Sequence, residues 1–215
     1  MIVIGITGGV GSGKSTVIGY LAQLAPSRVI FADTAAKDLY LPGAPCYEEL
    51  LKILTKAAGD KADSVCRKDG TIDTGFMSRM IFSDEELLQE VNGLIHPAVF
   101  RYIMDEIEKA RCGGMTGIFI IEAALLVECG YRPYLDSLWY VRCDESVRRQ
   151  RLKNDRGYSD EKIDSIMKSQ LKEEEFLAAC DVCIDNSGEP DATRAQIRKA
   201  LCEMQRDRGT AGHAI

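Results

Sequence analysis

The residues with the clearest chemistry stand near the start of the chain. Gly8-Gly9-Val10-Gly11-Ser12-Gly13-Lys14-Ser15-Thr16 puts Gly8, Gly13, Lys14 and Ser15 in the fixed places of G-x-x-x-x-G-K-[ST]. That pattern holds a polyphosphate. Glycines let the chain wrap within contact distance of phosphate oxygens, where a Cβ would block a positive φ or the approach itself. Backbone N–H groups and the N-terminus of a following helix then point at the anion. Lys14 would neutralise the β- and γ-phosphates and the Ser15 hydroxyl would ligate Mg²⁺. A glycine-rich turn with a solvated lysine is the competing reading. It fits four fixed positions between an apolar run and an amphipathic stretch less well.

Two further carboxylates and a run of cations belong to the same chemistry. Asp33 follows Val29-Ile30-Phe31-Ala32, which places it at the carboxyl edge of a sheet beside the phosphate loop, able to accept a proton or hydrogen bond from an attacking hydroxyl. An N-cap of the next helix is its structural alternative. Glu122 ends Ile120-Ile121-Glu122 where a magnesium-side acid or a salt-bridge partner would stand. Arg142, Arg148, Arg149, Arg151, Lys153 and Arg156 put six cations within fifteen residues of an otherwise acidic chain. On a helix Arg149, Lys153 and Arg156 share one face and Arg148 and Arg151 a neighbouring one. Such a run is either a solvated face or a phosphate-facing lid. Asn154-Asp155-Arg156-Gly157-Tyr158-Ser159 then supplies a turn, with Ser159 as the N-cap of a second lid helix.

The elements that must position these groups are short apolar runs: Ile2-Val3-Ile4, Val29-Ile30-Phe31, Ile118 to Ile121, Leu138 to Val141 and Val182 to Ile184. None alternates strictly with polar residues, as expected of strands covered on both faces. Amphipathic stretches lie between them, so the fold class is α/β. Residues 44–111 are mostly helical in pattern, with breaks at Gly70 and Pro97, and form an insertion between the second and third strands. The chain is expected to be one domain over residues 1–206, with a lid at about 144–170 and a flexible tail at 207–215.

Composition excludes several classes. The 215 residues are 46% hydrophobic and 28% charged, with 27 basic against 33 acidic side chains and a formal net charge of −6. That is an ordinary globular balance without the charge for a broad nucleic-acid footprint. Eight cysteines scattered along the chain read as reduced thiols. Cys180 and Cys183 have CxxC spacing but no second pair to close a zinc site. With no leader-like N-terminus and no long apolar span, the protein is expected to be cytoplasmic, without membrane or nucleic-acid partners. Oligomeric state is open, with a monomer slightly favoured. No Asn-Lys-x-Asp is present, which argues against a guanine-specific GTPase.

The ordered set of motifs resembles the dephospho-coenzyme A kinase family over about Ile2 to Leu201. The matching residues are Gly5 to Thr16, Ala32-Asp33, Ile81-Phe82-Ser83-Asp84, Ile95-His96-Pro97, Leu125-Leu126-x-Glu128, Arg151-Leu152, Ser159 with Gln170, and Asp181-x-x-Ile184-Asp185-Asn186-Ser187-Gly188. The resemblance implies a P-loop kinase: a five-stranded parallel sheet wrapped by helices, with a helical acceptor-binding insertion and a lid. It implies transfer of the ATP γ-phosphoryl group to the ribose 3′-hydroxyl of dephospho-coenzyme A, with Mg²⁺. Carried onto this sequence, Gly8, Gly11, Ser12, Gly13, Lys14, Ser15 and Thr16 hold the ATP phosphates and Ser15 and Glu122 serve the metal. Asp33 faces the acceptor hydroxyl, and His96 and Glu128 belong to the acceptor side. Asn186 lies near the adenine, and Arg156 or Arg149 grips the transferring phosphate. The chain departs from the family pattern at Glu122, which replaces an aspartate, and at Ile166, which replaces an arginine. Another small-metabolite or nucleotide kinase of this fold, or a nucleotide-binding regulator without transfer activity, are the alternatives.

Overall fold

The computed structural model describes residues 1–211. The chain divides into two compact units, residues 1–29 with 114–215 and residues 30–113.

The first unit carries the sheet apart from the last two residues of its second strand. Its strands are β1 (Ile2–Thr7), β2 (Ser27–Phe31), β3 (Ile118–Glu122), β4 (Ser137–Arg142) and β5 (Val182–Asp185), in the parallel order β2-β3-β1-β4-β5. The three central strands are buried along almost their whole length, whereas the edge strands β2 and β5 are only partly covered. This is why the central runs read as continuous apolar stretches: helices cover both faces, so neither side of the pleat can be polar. Trp139, Ile4, Ile6 and Ile120 meet Val17, Ile18 and Leu21 of α1 (Lys14–Leu24) in one core cluster with Ile197, Ala200 and Leu201.

The second unit holds α2 (Ala32–Leu39), α3 (Tyr47–Ala58), α4 (Thr74–Ser83) and α5 (Glu85–Cys112). Its spine is α5, against which the other three pack. Asp73 and Asp84 cap α4 and α5 with 2.8 and 3.0 Å bonds from Phe76 N–H and Leu87 N–H. The expected break at Gly70 is present: Tyr47 donates to the Gly70 carbonyl at 2.5 Å, and Cys66 bridges to Ile72. The expected break at Pro97 is absent, since α5 runs through it without interruption. Burial of Val91, Ile95, Val99, Ile103 and Ile107 along one face outweighs the one hydrogen bond proline removes, and at i−4 Gly93 adds no side chain to the crowding.

Returning to the first unit, α6 (Glu145–Arg156) and α7 (Asp160–Lys168) form the arm expected as a lid, followed by α8 (Glu173–Ala179) and α9 (Pro190–Ala211). Gly157, at φ 63°, ends α6 in the left-handed region, and Ser159 caps α7 by accepting from Lys162 N–H at 3.4 Å. The final helix continues to Ala211, into the stretch expected as a tail. Residues 212–215, with His213, lie outside the described residues.

Candidate active site

The phosphate loop leaves the carboxyl end of central strand β1 and enters α1 at Lys14. Gly8, Gly11 and Gly13 all have positive φ, at 145°, 81° and 88°. At Gly8 space as well as conformation requires glycine: a Cβ there would lie 2.6 Å from the Val141 carbonyl oxygen and 3.1 Å from Ser12 Oγ. The loop closes on itself through Ser12 N–H to the Gly9 carbonyl at 3.1 Å. Among the described residues the N–H groups of Gly11, Gly13, Lys14 and Ser15 have no acceptor, and Ser12 Oγ is buried without a hydrogen-bond partner. A buried orphan hydroxyl beside unpaired N–H groups at a helix start is a set of donors in want of an anion. The residues present therefore fit a nucleotide polyphosphate.

The Lys14 ammonium is held between two acceptors. It donates to the Gly8 carbonyl at 2.9 Å and stands 3.4 Å from Glu122, both side chains being about 15% exposed. Glu122 thus meets the loop lysine in this structure, while Ser15 and Thr16 are exposed at the start of α1. No group of three or more histidine, cysteine, aspartate or glutamate side chains able to hold a metal occurs among the described residues. A divalent ion here would rely on the Ser15 hydroxyl and on substrate phosphates, as Mg²⁺ commonly does.

Asn186, at the end of β5, turns toward the loop. Its Nδ2 donates to the Ser12 carbonyl at 2.8 Å and its Oδ1 accepts from Thr193 Oγ1 at 3.2 Å, all in a buried setting. The side chain expected near an adenine is committed to bracing the loop, because burial requires both ends of its amide to find partners. Asp185 beside it has a carboxyl that burial pushes up. Ser187 hydrogen bonds and the Arg142 guanidinium hold it below the usual aspartate value.

The basic run sorts differently from its spacing. Arg148 Nε donates to the Val10 carbonyl at 3.0 Å, and Arg151 reaches the Ser12 carbonyl at 3.2 Å and the Asn186 carbonyl at 3.0 Å. Arg151 Nη1 also lies 3.4 Å from Cys143 Sγ, whose pKa burial raises. Arg149, expected to face phosphate, is instead paired with Asp164 and, at 2.7 Å, with Glu145. Lys153 meets Asp160 at 2.7 Å, and that hydrogen bond holds Asp160 below its ordinary value. Arg156 is exposed, its guanidinium 6.0 Å from the Tyr158 ring centre. Spacing alone does not single out Arg148 and Arg151 from the rest of the run as the cations beside the phosphate loop. The available signal is Leu152, the one buried residue of α6, which marks the inward face one residue from Arg151 and one turn from Arg148.

Glu128 is exposed in the turn after β3. In the second unit, Asp33 is exposed in the first turn of α2, whose N-cap is Phe31, so the capping alternative does not hold. Burial raises the Tyr40 phenol, and the nearby Asp33 charge raises it further. His96 is half-buried within α5.

The model of the family "Dephospho-CoA kinase" matches residues 2–191. The chain belongs to the dephospho-CoA kinase family. A dephospho-CoA kinase from Moorella thermoacetica is 34% identical over 206 residues, covering 96% of this chain and 93% of the relative. One from Aquifex aeolicus is 35% identical over 205 residues, covering 95% and 98%. The solved dephospho-CoA kinase of Campylobacter jejuni superimposes with a TM-score of 0.70 at 22% identity, over 96% of this chain and 98% of that one, which speaks to the fold. Membership makes the chain a kinase, and hence a transferase, of the P-loop class. No helix among the described residues is long and apolar enough to cross a membrane.

Proposed function

We propose that this chain transfers the γ-phosphoryl group of ATP to the ribose 3′-hydroxyl of dephospho-coenzyme A, giving coenzyme A and ADP. The observation that carries the reading is the orphaned donor set of the phosphate loop, Ser12 Oγ with the N–H groups of Gly11, Gly13, Lys14 and Ser15, in a chain of this family. Gly8, Gly11, Ser12, Gly13 and Thr16 line or support the cradle. Lys14 moves its charge from the Gly8 carbonyl and Glu122 to the β- and γ-phosphates. Mg²⁺, when bound, neutralises charge on the phosphate oxygens, with Ser15 as its protein ligand and Glu122 as the acid on that side.

Asp33 has the role of orienting the 3′-hydroxyl and accepting its proton as the oxygen bonds to the γ-phosphorus and the bridging P–O bond to ADP breaks. His96 and Glu128 are assigned to the acceptor. Arg156 is the lid cation assigned to the transferring group, since Arg149 would first have to leave Asp164 and Glu145. Asn186 acts on the nucleotide through the loop it braces. Little covalent chemistry falls to the protein, so the rate comes from positioning and charge neutralisation.

The test is incubation with ATP, Mg²⁺ and dephospho-coenzyme A, followed by mass analysis locating one added phosphoryl group on the ribose. A panel of nucleoside, sugar and small-acid acceptors runs beside it. Phosphorylation of one of those in preference, or ATP binding with no transfer to any acceptor, overturns the reading.

A further inference from the structure

The tip of the phosphate loop is held by two side chains to which no role has been given. Gln170, just beyond α7, accepts at one oxygen, Oε1, from both Val10 N–H at 3.3 Å and Arg148 Nη2 at 2.6 Å. Arg148 Nε returns to the Val10 carbonyl at 3.0 Å. The three bonds close a ring around a single residue, so both backbone groups of Val10 are taken by the arm. The guanidinium also lies close against the loop: a Cβ built on Gly9 would stand 2.6 Å from Arg148 Cζ and 2.8 Å from Gln170 Oε1. An arginine that donates through two nitrogens of its rigid fork to a carbonyl and a carboxamide fixes orientation as well as distance.

We propose that Arg148 is a positioning residue which, with Gln170, clasps the Val10 backbone and ties the shape of the phosphate loop to the α6–α7 arm. The Val10 N–H is thereby withheld from phosphate, and the cradle is left to the donors from Gly11 onward. Arm and loop move as one: displacing Gln170 frees the loop tip. The kinetic consequence rests on the proposed kinase reading, but the clasp itself does not.

Hydrogen exchange on the nucleotide-free protein tests the clasp directly. Gln170→Leu and Arg148→Met should each speed exchange of the Val10 amide by about 10-fold, the scale of one lost net hydrogen bond, with α1 amides unchanged. Gln170→Glu, whose carboxylate can accept both bonds, should restore protection. In the kinase assay each disrupting variant should raise the KM for ATP by about 5- to 10-fold and leave the KM for dephospho-coenzyme A within about 2-fold. The double variant should be no worse than either single one, because the groups act as a unit. Equal Val10 exchange in all four proteins, additive kinetic losses, or a Gln170→Glu variant as impaired as Gln170→Leu overturns the proposal. Absence of any transfer by the unmodified protein would sink the kinase reading and leave the exchange result to decide the clasp.

Discussion

The two charged faces of α6 carry cations one or two positions apart and meet opposite partners. Arg148 and Arg151 reach carbonyl oxygens of Val10, Ser12 and Asn186, whereas Arg149 and Lys153 reach the carboxylates of Glu145, Asp160 and Asp164. The first face is anchored by buried Leu152 and holds a loop whose polar groups water does not fully reach. The second is a set of half-exposed ion pairs, each worth little because solvent and salt screen it. A guanidinium's role therefore follows from what it faces and how wet that partner is, and charge spacing along the helix does not specify either.

The cradle sets the scale against which the two faces are measured. Lys14→Ala and Asp33→Asn should each lower turnover by at least about 10²-fold, as expected for a charge stabiliser and a positioned base, read by coenzyme A formation. Near-native turnover in Asp33→Asn would remove its assigned role. On the inward face, Arg151→Ala should raise the KM for ATP by about 10-fold, since charged hydrogen bonds to the loop are lost from a partly buried site. On the outward face, Arg149→Ala should change kcat/KM for ATP by less than about 3-fold. Equal losses in these two variants would break the comparison, and a larger loss in Arg149→Ala would restore that residue to the transferring phosphate.

The smallest effect expected is on acid stability. The Asp185 carboxyl is held below its ordinary value by Ser187 and Arg142, against a burial effect in the other direction. A depressed folded pKa contributes stability above the unfolded value of about 3.9, and that contribution is lost as pH falls through the folded one. Asp185→Asn should therefore be less stable than the unmodified protein at neutral pH. It should lose less further stability below about pH 4, measured as the melting temperature across pH. An unchanged acid slope would show that Asp185 contributes nothing through its charge.

Local rules determined a good deal. The strands over Ile2–Thr7, Ile118–Glu122 and Ser137–Arg142 were legible because burial on both faces leaves no polar alternation. The phosphate loop was legible because glycine, lysine and serine stand at fixed spacing and the positive φ of Gly8, Gly11 and Gly13 is a local demand. The Ser159 cap and the turn at Gly157 are local for the same reason.

What only tertiary structure decided is which neighbour each long side chain meets. Pro97 reads as a break until the buried face of α5 outweighs one lost hydrogen bond. Asn186 is expected from the sequence near the nucleotide, and only the folded chain brings Ser12 and Thr193 to its amide. Arg149 reads as a phosphate ligand until α7 brings Asp164 to it. Backbone conformation is limited by interactions within a few residues, whereas the partner of a flexible charged or amide group is set by segments that folding brings together, 15 residues apart for Arg149 and Asp164 and 174 apart for Asn186 and Ser12.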